Sequence, residues 1–187
     1  AAARASTFVV AVSRALRDSI ESFTGDPGRL RVIPNIVDGT VFTMRSPDDV
    51  VRNDRLLFVG TMRLVKCLDI LLEAVRILAN RDRDVRLAVV GDGFYRAYNR
   101  DQQFFEQLMK KLDLGDRVEF IGPRRPEGVA AEIRKSAAVV VSSRRETFGV
   151  VLAESLASGV PVVATRGGGT EAIVVPAVGA AGASEDA

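Results

Sequence analysis

The chain has no histidine and no tryptophan, a single cysteine, and only 6% aromatic residues across its 187 positions. Without histidine there is no imidazole acid or base, no Ser-His-Asp or Cys-His nucleophile system, and no histidine-containing zinc site. The lone thiol, Cys67, excludes an internal disulfide and fits a reducing, cytoplasmic compartment. With so few aromatic rings there is little for nucleobases to stack on. The 26 basic residues are also scattered among 24 acidic ones rather than gathered in a stripe, so no nucleic-acid partner is expected. Long apolar runs are missing too. The weakly charged stretch 147–165 is broken by Glu154, Gly159 and Pro161, which argues against a membrane span. The opening Ala-Ala-Ala-Arg lacks a methionine, and the apolar run from Phe8 to Val12 is too short for a signal-peptide core, so the start reads as a cut end.

What remains is an ordinary globular composition, 47% hydrophobic and 27% charged. The length suits one domain, which would bury roughly 70% of the surface of its unfolded chain. Short β-branched runs recur at Thr7–Val12, Leu30–Ile33, Leu56–Val59, Val85–Val90, Val118–Ile121, Ala138–Val141 and Val160–Ala164. Several are apolar at nearly every position, as in strands covered by helices on both faces. Between them lie segments of helical period. Ser13 is placed to cap a helix carrying Leu16, Ile20 and Phe23 on one face, and Leu68, Leu71, Leu72, Val75 and Leu78 form a second stripe. Phe104, Phe105, Leu108, Met109 and Leu112 form a third, and Val129–Ser136 and Val150–Ser158 read as shorter helices. Core packing is the simplest reading of each stripe. This alternation predicts an α/β fold, a doubly wound parallel sheet with right-handed crossovers. The stretch from Pro34 to Arg52, rich in Pro, Asp, Asn and Ser, reads as a linker. Residues 1–38 are then assigned to a neighbouring domain and the linker, 39–175 to the main domain, and 176–187 to a frayed tail.

In an open parallel sheet, ligands sit where the strands end, so the exit loops carry the chemistry. Glycine recurs there, in Gly60-Thr61-Met62-Arg63-Leu64-Val65-Lys66, Gly91-Asp92-Gly93, Gly122-Pro123-Arg124 and Gly167-Gly168-Gly169, which allows backbone to approach a ligand closely. The loop from Gly60 to Lys66 lacks the second glycine and the hydroxyl of a P-loop, and Gly91-Asp92-Gly93 fails the dinucleotide fingerprint. Asp82 and Asp84 precede a strand's amino end, the wrong side of the sheet for a ligand, so a solvated loop is the simpler reading. The sharpest feature is a pair of carboxylates, Glu146 and Glu154, around Phe148-Gly149 and a helix start. Side chains lean toward a helix's amino end, so Glu154 can point back at whatever lies over that terminus. An acid on an otherwise apolar helix is costly to bury unless something satisfies it. Sugar or ribose hydroxyls would do so, and so would an ion pair with Arg144 or Arg145. The residues alone leave both open.

The order and spacing of these pieces resemble the C-terminal, donor-binding domain of retaining GT-B glycosyltransferases of family 4. The resemblance rests on Val32-Ile33-Pro34-Asn35-Ile36-Val37-Asp38, Phe58-Val59-Gly60 with Lys66, Val90-Gly91-Asp92-Gly93 and Val118-Glu119-Phe120-Ile121-Gly122. It rests further on Glu146 and Glu154 around Phe148-Gly149, and on Gly159-Val160-Pro161-Val162-Val163-Ala164 with Gly168-Gly169. It implies a nucleotide-diphosphate sugar as donor, with no cofactor and no metal, and a reaction without an obvious enzymic nucleophile, front-face attack being the favoured account. Glu146 would hold hydroxyls of the transferred sugar, Glu154 the ribose, and Lys66 the diphosphate. Backbone at Thr147, Phe148, Gly149 and Val150 would face sugar and phosphate, and Gly60, Thr61, Gly91, Gly122, Pro123 and Arg124 would border the nucleotide. The family commonly has arginine where Thr61 stands, so Arg63 is assigned as the second cation, and Cys67 replaces a usual glycine. An N-terminal acceptor-binding domain would be the partner, and any membrane contact would run through it. A GT-B epimerase or phosphorylase, or a non-catalytic nucleotide-sugar module, are the alternatives on the same fold.

Overall fold

The computed structural model describes residues 6–24, 26–91 and 99–174, apart from the side chains of 99–102. Asp92, Gly93, residues 94–98 and the expected tail 176–187 lie outside the described residues. Five strands form one parallel sheet: β3 (Arg52–Val59), β4 (Arg86–Val90), β5 (Val118–Gly122), β6 (Ser136–Val141) and β7 (Val162–Ala164), in the spatial order β5-β4-β3-β6-β7. The helices between them are α2 (Leu68–Ala79), α3 (Asn99–Lys111), α4 (Pro126–Lys135) and α5 (Val150–Ala157). This is the expected doubly wound α/β class. The order runs outward from β3 in one direction and from β6 in the other, so the winding reverses between these two strands.

Successive strand residues face opposite sides, and here both sides are dry. Phe58, Leu87 and Val89 pack with Leu68, Leu72 and Val75 of α2 and Phe105 of α3. Their neighbours Leu57, Ala88 and Val90 pack on the other side with Ile133 of α4 and Leu152 of α5. That is why Leu56–Val59 of β3 and Leu87–Val90 of β4 are apolar at every position. β3 starts four residues before the expected Leu56, because its polar first half is also paired. Arg52 registers with Ser136 of β6, and the buried Arg55 donates to Ser136 Oγ at 2.9 Å and to the Glu132 carboxylate of α4. The stretch 33–51 has no regular element, yet Phe42 is buried in the α4–α5 side of the core. The Arg45 amide also donates to Ser158 O at 3.0 Å, so the stretch is pinned to the domain.

The N-terminal residues form a separate unit, a two-stranded parallel sheet of β1 (Val9–Ala11) and β2 (Leu30–Val32) joined by α1 (Arg14–Thr24). Here the structure departs from the expectation that the α1 stripe is core. Leu16 and Ile20 are only half-buried and Phe23 is 66% exposed. Two strands are too narrow to cover the face of an eleven-residue helix.

Candidate functional site

The carboxyl ends of β3 and β6 flank a pocket of about 200 Å³ lined by Phe58, Val59, Lys66, Val140, Val141, Ser143, Glu146, Gly149, Val150 and Val151. This is the switch point, where open α/β sheets leave a crevice. On the β4–β5 side the exits stay laced: the Gly60 amide donates to Val90 O at 2.9 Å and the Gly91 amide to Gly122 O at 3.1 Å. Gly91 sits at φ 132°, and a Cβ there would fall 2.1 Å from Gly60 O, so no other residue fits. The loop after β3 closes into a short turn, Leu64–Lys66, with Cys67 in the left-handed region at φ 50° before α2 begins. Ser142 Oγ donates to Lys66 O at 2.9 Å and the Arg144 amide to Val65 O at 3.0 Å, which fixes the turn against the exit of β6. Lys66 is thereby held over the neighbouring strand's loop.

Lys66 Nζ lies 2.7 Å from Glu146 Oε2. Glu146 is itself held by the glycine run: its amide donates to Gly167 O at 2.9 Å and its carbonyl accepts from Gly169 N–H at 2.7 Å. Gly169 has no room for a side chain, since a Cβ would meet Phe148 N at 2.4 Å. Beyond this loop the amino end of α5 opens into the pocket through Gly149, Val150 and Val151. The first amides of a helix lack intrahelical acceptors and favour an anion. Glu154 lies one turn after Val150 on the same face of α5, half-buried. No hydrogen bond or ion pair reaches its carboxylate among the described residues, and burial pushes its pKa up from 4.5 to about 7. Of the two readings left open above, the ion pair with Arg144 or Arg145 does not form.

Of the expected residues, the pocket gathers Lys66, Glu146, Gly149 and Val150. Phe148 is buried beneath the loop, and Thr147 is exposed beside it. Thr61 and Arg63 are exposed on the β3 loop, and Arg63 forms no ion pair among the described residues. Gly60, Gly91 and Gly122 end adjacent strands at the same edge, with Pro123 and Arg124 exposed beyond them, away from the pocket lining. Ser143 and the strand-end residues Phe58, Val59, Val140 and Val141 line the pocket without having been singled out. Their positions at the two exits were the available signal. Asp82 and Asp84 are exposed, Asp84 lying 3.5 Å from Arg117. A larger cavity of about 320 Å³ lies at the opposite ends of the strands, lined by Arg52, Arg55, Arg86, Asp116, Arg117 and Glu119. Its arginines are paired with Asp54 (shared by Arg52 and Arg86), Glu132 and Asp84, and Asp116 and Glu119 add negative charge to the lining, so it offers an anion little.

Fold and pocket define the class: a doubly wound α/β domain with an ion-paired pocket at its switch point. Residues 42–187 match the family described as "Glycosyl transferases group 1", and the chain belongs to that family. D-inositol 3-phosphate glycosyltransferase of Corynebacterium aurimucosum is 32% identical over 175 residues, covering 88% of this chain and 42% of the relative. The enzyme of the same name from Geodermatophilus obscurus is 34% identical over 187 residues, covering 92% of this chain and 40% of its own length. The chain thus spans less than half of the curated relatives it matches. Among solved structures, Anabaena HepE in complex with UDP and glucose superposes with a TM-score of 0.82 at 25% identity, covering 93% of this chain and 48% of that one. Sucrose-phosphate synthase from Thermosynechococcus elongatus gives 0.76 at 26% identity, covering 90% and 43%.

Proposed function

We propose that this chain is the donor-binding half of a retaining hexosyltransferase, holding a nucleotide-diphosphate sugar in the pocket between β3 and β6. The observation that carries this reading is the meeting of Lys66 and Glu146 at 2.7 Å beside the open amino end of α5. One group suits a diphosphate and the other suits sugar hydroxyls, since an ionised carboxylate only accepts hydrogen bonds. Transfer breaks the bond from the anomeric carbon to the diphosphate oxygen, and negative charge grows on the departing phosphate. Lys66 and the α5 amides are positive groups held at that charge, the kind that stabilises a transition state more than the ground state, and the exposed Arg63 is the second cation that would close on it. They would do so without a metal or cofactor. Glu154 takes the ribose hydroxyls, and the backbone at Gly60, Gly91 and Gly122 borders the nucleoside. The acceptor hydroxyl attacks the anomeric carbon from the face the leaving group departs, and its proton passes to the departing phosphate oxygen.

On this reading residues 39–175 are the donor domain and 1–38 belong to the acceptor-binding domain and the interdomain linker. The exposed Val10 of β1 supports that, because parallel strands ordinarily have both faces covered, and so do the large exposed side chains of Phe8 before it and Phe23 on α1. HepE, solved with UDP-glucose, supports the choice of UDP sugars as first probes. A thermal-shift panel of UDP, GDP and ADP sugars tests the reading. A ligand at ~100 times its Kd adds about 2.7 kcal/mol of stability. Glu154→Ala should remove most of that gain, whereas Glu146→Ala should weaken sugar discrimination more than nucleotide affinity. If no nucleotide sugar stabilises the chain, the reading fails; equal responses from both variants break the division of roles. The purified chain alone should bind donor without transferring its sugar, and measurable transfer would overturn that part.

A further inference from the structure

The loop that carries Glu146 is gripped from two sides, and the roles proposed above use only one of them. On one side is the glycine run, through the Glu146–Gly167 and Gly169–Glu146 backbone bonds. On the other is the N-terminal unit. Ser13 Oγ donates to Thr147 O at 2.6 Å across 134 positions of sequence, and Ser13 is 3% exposed. The same oxygen accepts the Leu16 amide at 3.1 Å, while Ser13 O accepts the Arg17 amide at 3.0 Å. Ser13 is therefore the N-cap of α1, with its hydroxyl proton committed to the loop. Close packing follows the hydrogen bond, since a Cβ on Gly168 would lie 3.8 Å from Ala15 Cβ. Thr147 separates Glu146, whose carboxylate meets Lys66, from Phe148, which is buried. Fixing the carbonyl between them fixes the peptide that aims Glu146.

We infer that Ser13 is a positioning residue: its hydroxyl straps the Thr147 carbonyl to α1 and so holds Glu146 in register with the pocket. The sugar-facing side of the site is then built jointly by the N-terminal unit and the five-stranded domain. The sugar part of this inference rests on the donor-binding reading, while the strap itself does not.

The two roles of Ser13 can be separated, because glycine caps helices nearly as well as serine but has no hydroxyl. Ser13→Gly keeps the cap and cuts the strap, and Ser13→Thr keeps both. In the ligand-free 187-residue chain, amide exchange across 146–149, read by mass spectrometry, should quicken by about tenfold in Ser13→Gly, as a lost local restraint would. It should return to the parent rate in Ser13→Thr, and unchanged exchange in Ser13→Gly overturns the strap. Calorimetry with UDP and with UDP-glucose reads the consequence. Ser13→Gly should leave UDP affinity unaltered and weaken UDP-glucose by about tenfold or more, the scale of a misplaced contact group. Ser13→Thr should restore the parent ratio of the two affinities. Equal weakening of both ligands would mean a merely structural serine and overturns the positioning role. A parent chain that binds neither ligand sinks the donor-binding reading and the sugar role with it, and the exchange experiment then decides the strap alone.

Discussion

At the scale of single residues, Glu154 is the most exacting position. Its carboxyl sits on an apolar helix with no partner among the described residues, and burial lifts its pKa from 4.5 to about 7. Below pH 4.5 the folded and unfolded forms both keep the proton and the residue costs nothing. As pH rises toward about 7 the unfolded chain ionises first, so stability is lost progressively and then levels off. Glu154→Gln abolishes that dependence. The variant should therefore gain stability over the parent at about pH 8 and gain little at about pH 5, as read by urea unfolding at both values. An equal difference at the two pH values would mean that the carboxyl titrates normally. The sequence made this residue conspicuous, an acid among Val150, Val151, Leu152 and Ala153, but left its partner undecided. Arg144 and Arg145 stand close in the chain, and only the path of the loop shows that neither reaches it.

At the scale of elements, legibility followed apolar runs. All five strands of the main sheet were readable where their residues are mostly apolar, whether buried as in β4 or at the exposed edge as in β7. The first half of β3 was not, because Arg52-Asn53-Asp54-Arg55 has no apolar signal and forms strand through its partners. Arg55 is the key one. It is 4% exposed, pairs with the Glu132 carboxylate, and donates to Ser136 Oγ at 2.9 Å, tying α4 to the sheet. Burial raises the pKa of Glu132, but hydrogen bonds from Lys135 and Arg55, with their charges, outweigh it and hold the group below its ordinary value. The pair therefore contributes above the ordinary carboxylate range and is lost as pH falls through the lowered value. Arg55→Ala leaves a carboxylate with one partner fewer in a half-closed site, and should cost about 3 kcal/mol in urea unfolding at neutral pH. Arg55→Met combined with Glu132→Leu should recover most of that loss, because no charge is then left unpaired. If the double variant is as unstable as Arg55→Ala, packing rather than charge holds α4.

For the whole molecule, the arrangement of charge says more than the net value of +2. At the amino ends of the strands, Arg52, Arg55, Arg86 and Arg117 are each paired with a carboxylate. At the carboxyl ends, Arg63, Arg144, Arg145 and Arg166 form no ion pair among the described residues, and all four are exposed. Composition gave no hint of this, since pairing depends on which loops the topology brings together. The same holds for the pocket. Lys66 and Glu146 were each readable from their motifs, but their meeting across 80 positions, like that of Ser13 with Thr147, exists only in the folded chain. An unpaired cationic rim around an ion-paired pocket should act on approach rather than on residence. Exposed charges steer a ligand over a Debye length of about 10 Å at 0.1 M salt, and added salt screens them much more than a group inside the pocket. On the proposed donor-binding role, the association rate of UDP-glucose should therefore fall as salt is raised while its dissociation rate changes little. Replacing Arg144 and Arg145 by alanine should lower the low-salt association rate and flatten its salt dependence, as read by stopped-flow titration. Were the parent and the double variant to share one salt slope, the rim would be solvated surface, and Lys66 with the amino end of α5 would have to attract the diphosphate on their own.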